Sequence, residues 1–145
     1  MAFIHGSADY PELKGEVRFY QAPAGVLVLA GISGLPSAGE GCETGFFGFH
    51  IHEGESCTGN VQDPFANVQT HFNPEGCPHP AHAGDLPPLL STQGNAYLAA
   101  VTSRFTINEI MGRTVIIHDH PDDFTTQPSG NSGKKIGCGQ IEAVS

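Results

Sequence analysis

One stretch of nine residues, Phe46–Gly54, restricts the fold of this chain more than any other; it reads F-F-G-F-H-I-H-E-G. Apolar residues alternate with glycine and histidine, which is the period-2 pattern of a β-strand with one face in a core. The residues on the core face are Phe47, Phe49 and Ile51. His50 and His52 point together to the other face, where two imidazoles can bind one metal ion. A pair of surface histidines has the same pattern, so its meaning depends on the other histidines.

The remaining sequence predicts further strands joined by turns. Glycine (19 residues) and proline (11 residues) are abundant and only 14% of residues are charged, a mix that favours short strands over helical bundles. Alternating stretches predict strands over Gly15–Gln21, Val26–Ile32, Ala96–Phe105, Arg113–His118 and Lys135–Val144. No window has a helical period over three turns, so any helix should be short. A chain of 145 residues suits a single domain spanning residues 1–145.

The net charge and the first residues of the chain limit which partners and which compartment we expect. Six Lys and Arg against 15 Asp and Glu give a net charge of −9, which disfavours nucleic-acid binding because phosphates find no basic surface. No apolar run is long enough to span a membrane, so no membrane partner is expected. The first residues lack the cationic and apolar regions of a secretory signal. We therefore expect a cytoplasmic protein or the mature form of an exported one.

A long irregular segment, residues 54–88, follows the strand that bears His50 and His52. A loop of this length is uncommon in a compact domain unless function or cross-links hold it. Metal ligation and a disulfide can supply the order that a hydrophobic core does not. Residues suited to both lie within it, namely Cys57, His71, Cys77, His79, His82 and Asp85. We interpret this segment as part of a site.

Potential metal ligands fall into two groups. One group lies within the loop and suits tetrahedral zinc, and it consists of His71, His79, His82 and Asp85. The other comes from strand ends and suits copper because its ligands are all imidazoles, and it consists of His50, His52 and His118. His71 can serve either group, whereas His5 and His120 stand outside both.

Together these motifs resemble the Cu,Zn superoxide dismutase family. The matching segments are Gly48–Glu53, His71–Pro74, His82–Leu86, Gly112–His118 and Gly130–Gly139. They cover most of the chain from residue 45 onward, and as a set they are highly specific. The resemblance implies an all-β fold, a Greek-key β-barrel or sandwich of about eight antiparallel strands with long metal-binding and electrostatic loops.

The resemblance also implies ligands and an activity. Copper would be bound by His50, His52, His71 and His118, and zinc by His71, His79, His82 and Asp85. His71 would bridge the two metals, and Asp122 matches the carboxylate that orients one ligand histidine of each. The implied reaction is disproportionation of superoxide to oxygen and hydrogen peroxide, with copper cycling between Cu²⁺ and Cu⁺. His71 would supply a proton.

The four cysteines allow three full pairings, between which spacing alone does not choose. By the resemblance, Cys57 and Cys138 form the disulfide that ties the metal loop to the last strand. Cys42 and Cys77 have no counterpart in the family pattern. They flank the histidine-bearing strand and the zinc loop, which favours a second disulfide over two free thiols.

One departure concerns the guidance of substrate. Lys135 stands three residues before Cys138, where the family usually has arginine. Lysine offers a mobile point charge instead of a planar fork of donors, so we expect weaker guidance of the anion but unchanged chemistry. Residues 124–140 contain no Asp or Glu. Lys134 and Lys135 should therefore form a positive rim beside the copper.

Two other functions are open at this point. A non-catalytic protein that binds or delivers copper and zinc on the same fold should show incomplete ligands or an added metal-transfer motif, and the chain shows neither. An unrelated metal hydrolase on a (β/α)₈ barrel needs about 250 residues, and the glutamate spacing of a cupin is missing after His52. Association into a homodimer is not readable from the sequence.

Overall fold

The computed structural model describes residues 1–37 and 42–144 and is built from nine strands. They are β1 (Ala2–Gly6), β2 (Lys14–Ala22), β3 (Gly25–Ser33), β4 (Phe46–Phe47), β5 (Phe49–His52), β6 (Leu89–Leu90), β7 (Ala96–Thr102), β8 (Thr114–His118) and β9 (Lys135–Gln140). Seven form one curled antiparallel sheet in the order β5-β8-β9-β1-β2-β3-β7, and β4 pairs with β6. The predicted Greek-key β-barrel is confirmed.

Period-2 alternation builds the core. In β3 every second residue is buried, and the buried set is Val26, Val28, Ala30 and Ile32. The predicted strands over Gly15–Gln21 and Val26–Ile32 form a hairpin, in which β2 pairs with β3 from Lys14↔Ser33 to Ala22↔Gly25. In β5, Phe49 and Ile51 join the same core. His50 and His52 lie on the opposite face of that strand but are buried as well, because the long loop covers them.

Element boundaries differ from the prediction at several places. The stretch Phe46–Gly54 is divided at Gly48, whose N–H donates to His120 O at 2.9 Å, so β4 leaves the large sheet and pairs with β6. β7 ends at Thr102 and β9 at Gln140, earlier than expected, and β1 was not predicted. The one α-helix in the part of the chain that the structure describes, α1 (Ile107–Ile110), is short as expected, with a capping box between Thr106 and Glu109.

The loop of residues 54–88 contains no strand and only a 3₁₀ turn, Ala66–Val68. It is held by the predicted Cys57–Cys138 disulfide, which is present. It also lies against β5, where Phe72 N–H donates to Ile51 O and Ile51 N–H donates to Gly84 O, both at 2.8 Å. These bonds set His71 and the following ligands beside β5.

The expectation of a second disulfide is wrong, because Cys42 and Cys77 are both free thiols. Cys42 is exposed, whereas Cys77 lies in a turn that Asn73 closes by bonding both its N–H and its carbonyl at 2.9 Å. This turn holds the backbone of Cys77 within its own loop. Among the described residues, no helix is long and apolar enough to cross a membrane.

Candidate metal centre

The six histidines of the two predicted groups converge in one buried region between β5, β8 and the long loop. None is more than 6% exposed, and the six are His50, His52, His71, His79, His82 and His118. Antiparallel pairing of β5 with β8 brings His50 opposite Ile116 and His52 opposite Thr114. Isolated bridges from the loop then add His71 beside His52 and Asp85 beside His50.

The first set, here called the copper group, consists of His50, His52, His71 and His118. One ligand atom from each lies within 4.8 Å of the others. His52 Nε2 and His118 Nε2 are 3.3 Å apart, which aims both nitrogens at a common point. His52 is oriented by its Nδ1, 3.0 Å from Gln69 O, and His118 by its Nδ1, 3.3 Å from Gly133 O.

The second set, here called the zinc group, consists of His71, His79, His82 and Asp85, and its three histidines present Nδ1. The Asp85 carboxylate lies 2.8 Å from His71 Nδ1, 3.0 Å from His79 Nδ1 and 3.3 Å from His82 Nδ1. The four ligand atoms of His50, His71, His79 and Asp85 also lie within 4.8 Å of one another. His50 belongs to that cluster because its ring stacks on His71, with centroids 3.9 Å apart.

Among the described residues, three buried side-chain atoms have no hydrogen-bond partner, namely His50 Nδ1, His71 Nε2 and His79 Nδ1, the last lying 3.0 Å from Asp85 Oδ2 without forming a hydrogen bond. Buried polar atoms are rarely left without a partner, because desolvation is unfavourable. A metal ion would satisfy all three. His71 is distinctive because its Nδ1 lies in the zinc group while its unpartnered Nε2 belongs with the copper group. The residues present therefore fit two metal ions that share one imidazole.

Asp122 connects the two groups by contacting one histidine of each. Its Oδ2 lies 2.8 Å from His50 Nε2 and its Oδ1 lies 2.8 Å from His79 Nε2. If each Nε2–H donates to this carboxylate, each Nδ1 keeps its lone pair for a metal. Burial alone would raise the pKa of Asp122, but its hydrogen bonds with these histidines hold the pKa well below the usual value. At Gly130, which has φ of +71°, any Cβ would overlap Asp122 Oδ1, so this approach requires glycine.

Burial favours the neutral form of several of these imidazoles, including His50, His52 and His118. It lowers the pKa of His50 from 6.5 to about 4, even though Asp122 opposes this, and lowers the pKa of His118 to about 3, helped by the nearby His50. The pKa of His52 is also well below its ordinary value because that ring is desolvated. Neutral imidazole is the form that binds metals.

The metal-free protein should lose stability as the pH falls from about 6.5 toward about 4. In this window the unfolded histidines take up protons that His50 and His118 cannot take up in the fold, so the free energy of unfolding decreases with falling pH. Each such histidine contributes at most about 1.4 kcal/mol per pH unit. Urea unfolding of chelator-treated protein at several pH values measures this slope. The variant His5→Ala, which removes an exposed histidine, should have the same slope; a flat profile would contradict the expectation.

The histidines open to solvent through a cleft of about 440 Å³, here called the metal cleft, lined by His52, His71, His118, Glu53 and Lys135 among others. Lys135 lines it as expected. Lys134, expected to share the rim, is not among the residues that line it; it precedes β9, and its N–H donates to Asp119 Oδ1 at 2.8 Å. Lys135 Nζ also forms an ion pair, 2.7 Å from Asp63 Oδ2.

Several residues that hold the ligands were missed from the sequence. Gln127 bonds the backbone of His79 twice, at 2.8 and 2.7 Å, and Arg104 donates to the carbonyls of Pro80 and His82 at 2.7 and 3.3 Å. Asp63 was missed as well. These residues lie 22–72 positions from their partners, so no local pattern indicates them.

Arg113 bridges two of the segments that bear ligands. Its guanidinium donates to Glu53 O at 2.9 Å and to Glu109 O at 2.8 Å, and it lies 4.3 Å from the ring centroid of Phe72. Glu53 and Phe72 directly follow His52 and His71 in the chain.

Comparisons with known proteins agree with this geometry. The family model described as copper/zinc superoxide dismutase (SODC) matches residues 13–141. Superoxide dismutase [Cu-Zn] 2 of Aquifex aeolicus is 32% identical over 90% of this chain and 80% of its own length. The superoxide dismutase [Cu-Zn] of Legionella pneumophila is 30% identical over 96% of this chain and 84% of its own.

Solved structures show the same fold. Cu/Zn superoxide dismutase from Brucella abortus has a TM-score of 0.79 and 25% identity, covering 97% of both chains. A SOD-like protein from Bacillus subtilis has a TM-score of 0.76 and 28% identity, covering 97% of this chain and 96% of its own.

Proposed function

This chain belongs to the copper/zinc superoxide dismutase family, and we propose that it converts two superoxide ions and two protons into dioxygen and hydrogen peroxide. Its cofactors are copper and zinc, as the family and the histidine clusters indicate. The observation that carries the proposal is the position of His71, with Nδ1 in the zinc group and an unpartnered, buried Nε2 in the copper group.

Copper would be held by His50, His52, His71 and His118, and zinc by His71, His79, His82 and Asp85. When bound, copper supplies one-electron oxidation and reduction of successive superoxide ions, and zinc fixes the shared imidazole. The protein's own residues would supply the proton and attract the substrate. His71 Nε2 would bind copper or hold a transferable proton, but not both at once, while Asp85 lies 2.8 Å from its Nδ1. Lys135 attracts the anion into the cleft.

Asp122→Asn should weaken zinc binding by about 10–100-fold, the usual effect of removing a group that orients ligand histidines. The carboxylate bonds His50 and His79 with both oxygens, and an amide cannot accept from both rings. Competition with a zinc chelator measures the change in the dissociation constant. Asp123→Asn is the matched control, because Asp123 is exposed and bonds only within its own turn. Equal zinc affinity in the two variants would contradict the role of Asp122.

The proposed function is tested by a dismutase assay on protein whose copper and zinc are counted per chain. We expect one copper, one zinc and dismutation of superoxide. Two bound metals without activity would overturn the proposal and favour the copper delivery protein. Iron or manganese as the only bound metal would also overturn it.

A further inference from the structure

Lys135 forms an ion pair with Asp63, which is not one of the expected metal ligands. Its ammonium lies 2.7 Å from Asp63 Oδ2 and 3.5 Å from Phe65 O, both in the long loop. The Lys135 side chain is 18% exposed, and that of Asp63 is 41% exposed. The cation that lines the metal cleft is therefore paired with an acid that does not itself line the cleft.

Asp63 is itself rigidly placed. Its N–H donates to Asn60 Oδ1 at 2.9 Å, and its Oδ1 accepts from Phe65 N–H at 3.1 Å. Phe65 belongs to a small apolar cluster with Cys138 and Cys57, so this turn is packed against the disulfide. The carboxylate therefore cannot swing away from Lys135 without disturbing that packing.

The pair matters because the metal cleft has few charges. Among the described residues that line it, Lys135 is the only Lys or Arg and Glu53 the only Asp or Glu. Opposite charges 2.7 Å apart largely cancel at distances greater than their separation. Asp63 thus removes much of the attraction that Lys135 would exert on an approaching anion, in a protein whose net charge of −9 already repels anions.

We propose that Asp63 masks the charge of Lys135 and so limits the rate at which anions are drawn to the metal centre. The inference rests on the proposed function, and it makes Asp63 a residue that sets substrate attraction without touching the reacting atoms. The sequence alone suggested a mobile lysine with its full charge. In the structure Lys135 is held by Asp63, and its charge is partly neutralised.

The test is Asp63→Asn in the protein loaded with copper and zinc. Asparagine keeps Oδ1 for Phe65 N–H but carries no charge, so the charge of Lys135 is no longer compensated. At about 0.01 M ionic strength we expect kcat/KM for superoxide to rise about two- to threefold, with a steeper decline as salt is added. The dissociation constant of azide, followed by the visible spectrum of the copper, should fall by a similar factor.

Two controls accompany the test. Glu142→Gln changes the net charge equally, but Glu142 lies seven residues beyond Lys135, roughly 20 Å along the strand direction. Because the Debye length is about 30 Å at 0.01 M ionic strength and about 10 Å at 0.1 M, its effect on both readouts should be clearly smaller than that of Asp63→Asn at 0.01 M and absent at 0.1 M. Asp63→Ser repeats the charge removal with a shorter side chain and should act in the same direction. Metal content and thermal unfolding show that each variant is folded.

Unchanged or weakened azide binding in both Asp63 variants would overturn the inference, since the carboxylate would then only position Lys135 or do nothing. A response of the same size in Glu142→Gln would also overturn it, because the effect would come from net charge. Absence of dismutase activity in the wild-type protein would refute the proposed function instead. The azide titration would still report on Asp63 in that case.

Discussion

Replacing His118 with alanine should lower dismutase activity by more than about 100-fold, with copper falling well below one per chain and zinc staying close to one. His118 comes from β8 and belongs only to the copper group, where its Nε2 faces His52 Nε2 at 3.3 Å. Loss of a residue that merely orients a ligand weakens metal binding by about 10–100-fold. Loss of a ligand itself should have the larger effect. Metal analysis and the dismutase assay on one preparation measure both quantities.

His120→Ala is the matched control for this prediction. His120 lies two residues further along the chain, its side chain is 65% exposed, and it pairs with Asp119 instead of either metal group. It should keep both metals and full activity. Equal loss of zinc and copper in His118→Ala would show that the two groups are not separable in the way the geometry indicates.

Removing the Cys57–Cys138 disulfide by the double substitution Cys57→Ser and Cys138→Ser should lower the free energy of unfolding by about 4 kcal/mol. The bond joins residues 81 positions apart, so without it the unfolded chain gains much conformational freedom. The segment of residues 54–88, which the bond ties to β9, also contains no strand and only a 3₁₀ turn, so few strand contacts hold it. Urea unfolding of the metal-free proteins measures the change without a contribution from metal binding.

Cys42→Ser is the control for the disulfide. Cys42 is an exposed free thiol, so its replacement should change the free energy of unfolding by less than about 0.5 kcal/mol. A disulfide-free variant as stable as the wild type would mean that the loop is held by its hydrogen bonds and packing alone.

Much of the site was readable from the sequence because its chemistry follows local rules. Alternation along Phe46–Gly54 assigns Phe49 and Ile51 to the core and His50 and His52 to the other face, since successive strand residues point in opposite directions. The spacing of histidines in the long loop and the family resemblance named the remaining ligands, which the structure brings together. Alternation and the glycine and proline content predicted short strands joined by turns, and the family resemblance implied the Greek-key fold class.

The expected disulfide between Cys42 and Cys77 is wrong because no local rule determines which cysteines meet. Flanking positions in the chain suggested that they meet, but a pairing depends on where the loop backbone runs, and Asn73 holds Cys77 in its own turn. The division of the opening strand at Gly48 also depends on a distant bond, from Gly48 N–H to His120 O.

The sequence by itself determined the residue types of the metal ligands, the strand that carries two of them and the pairing of Cys57 with Cys138 through the family pattern. Only the tertiary structure decided which imidazole nitrogens face each group, how Asp122 joins them, and that Lys135 lies against Asp63. The reason is physical. Strand alternation and ligand chemistry act over a few residues, whereas Lys135 and Asp63 are 72 positions apart and meet only because the disulfide-tied loop packs onto β9.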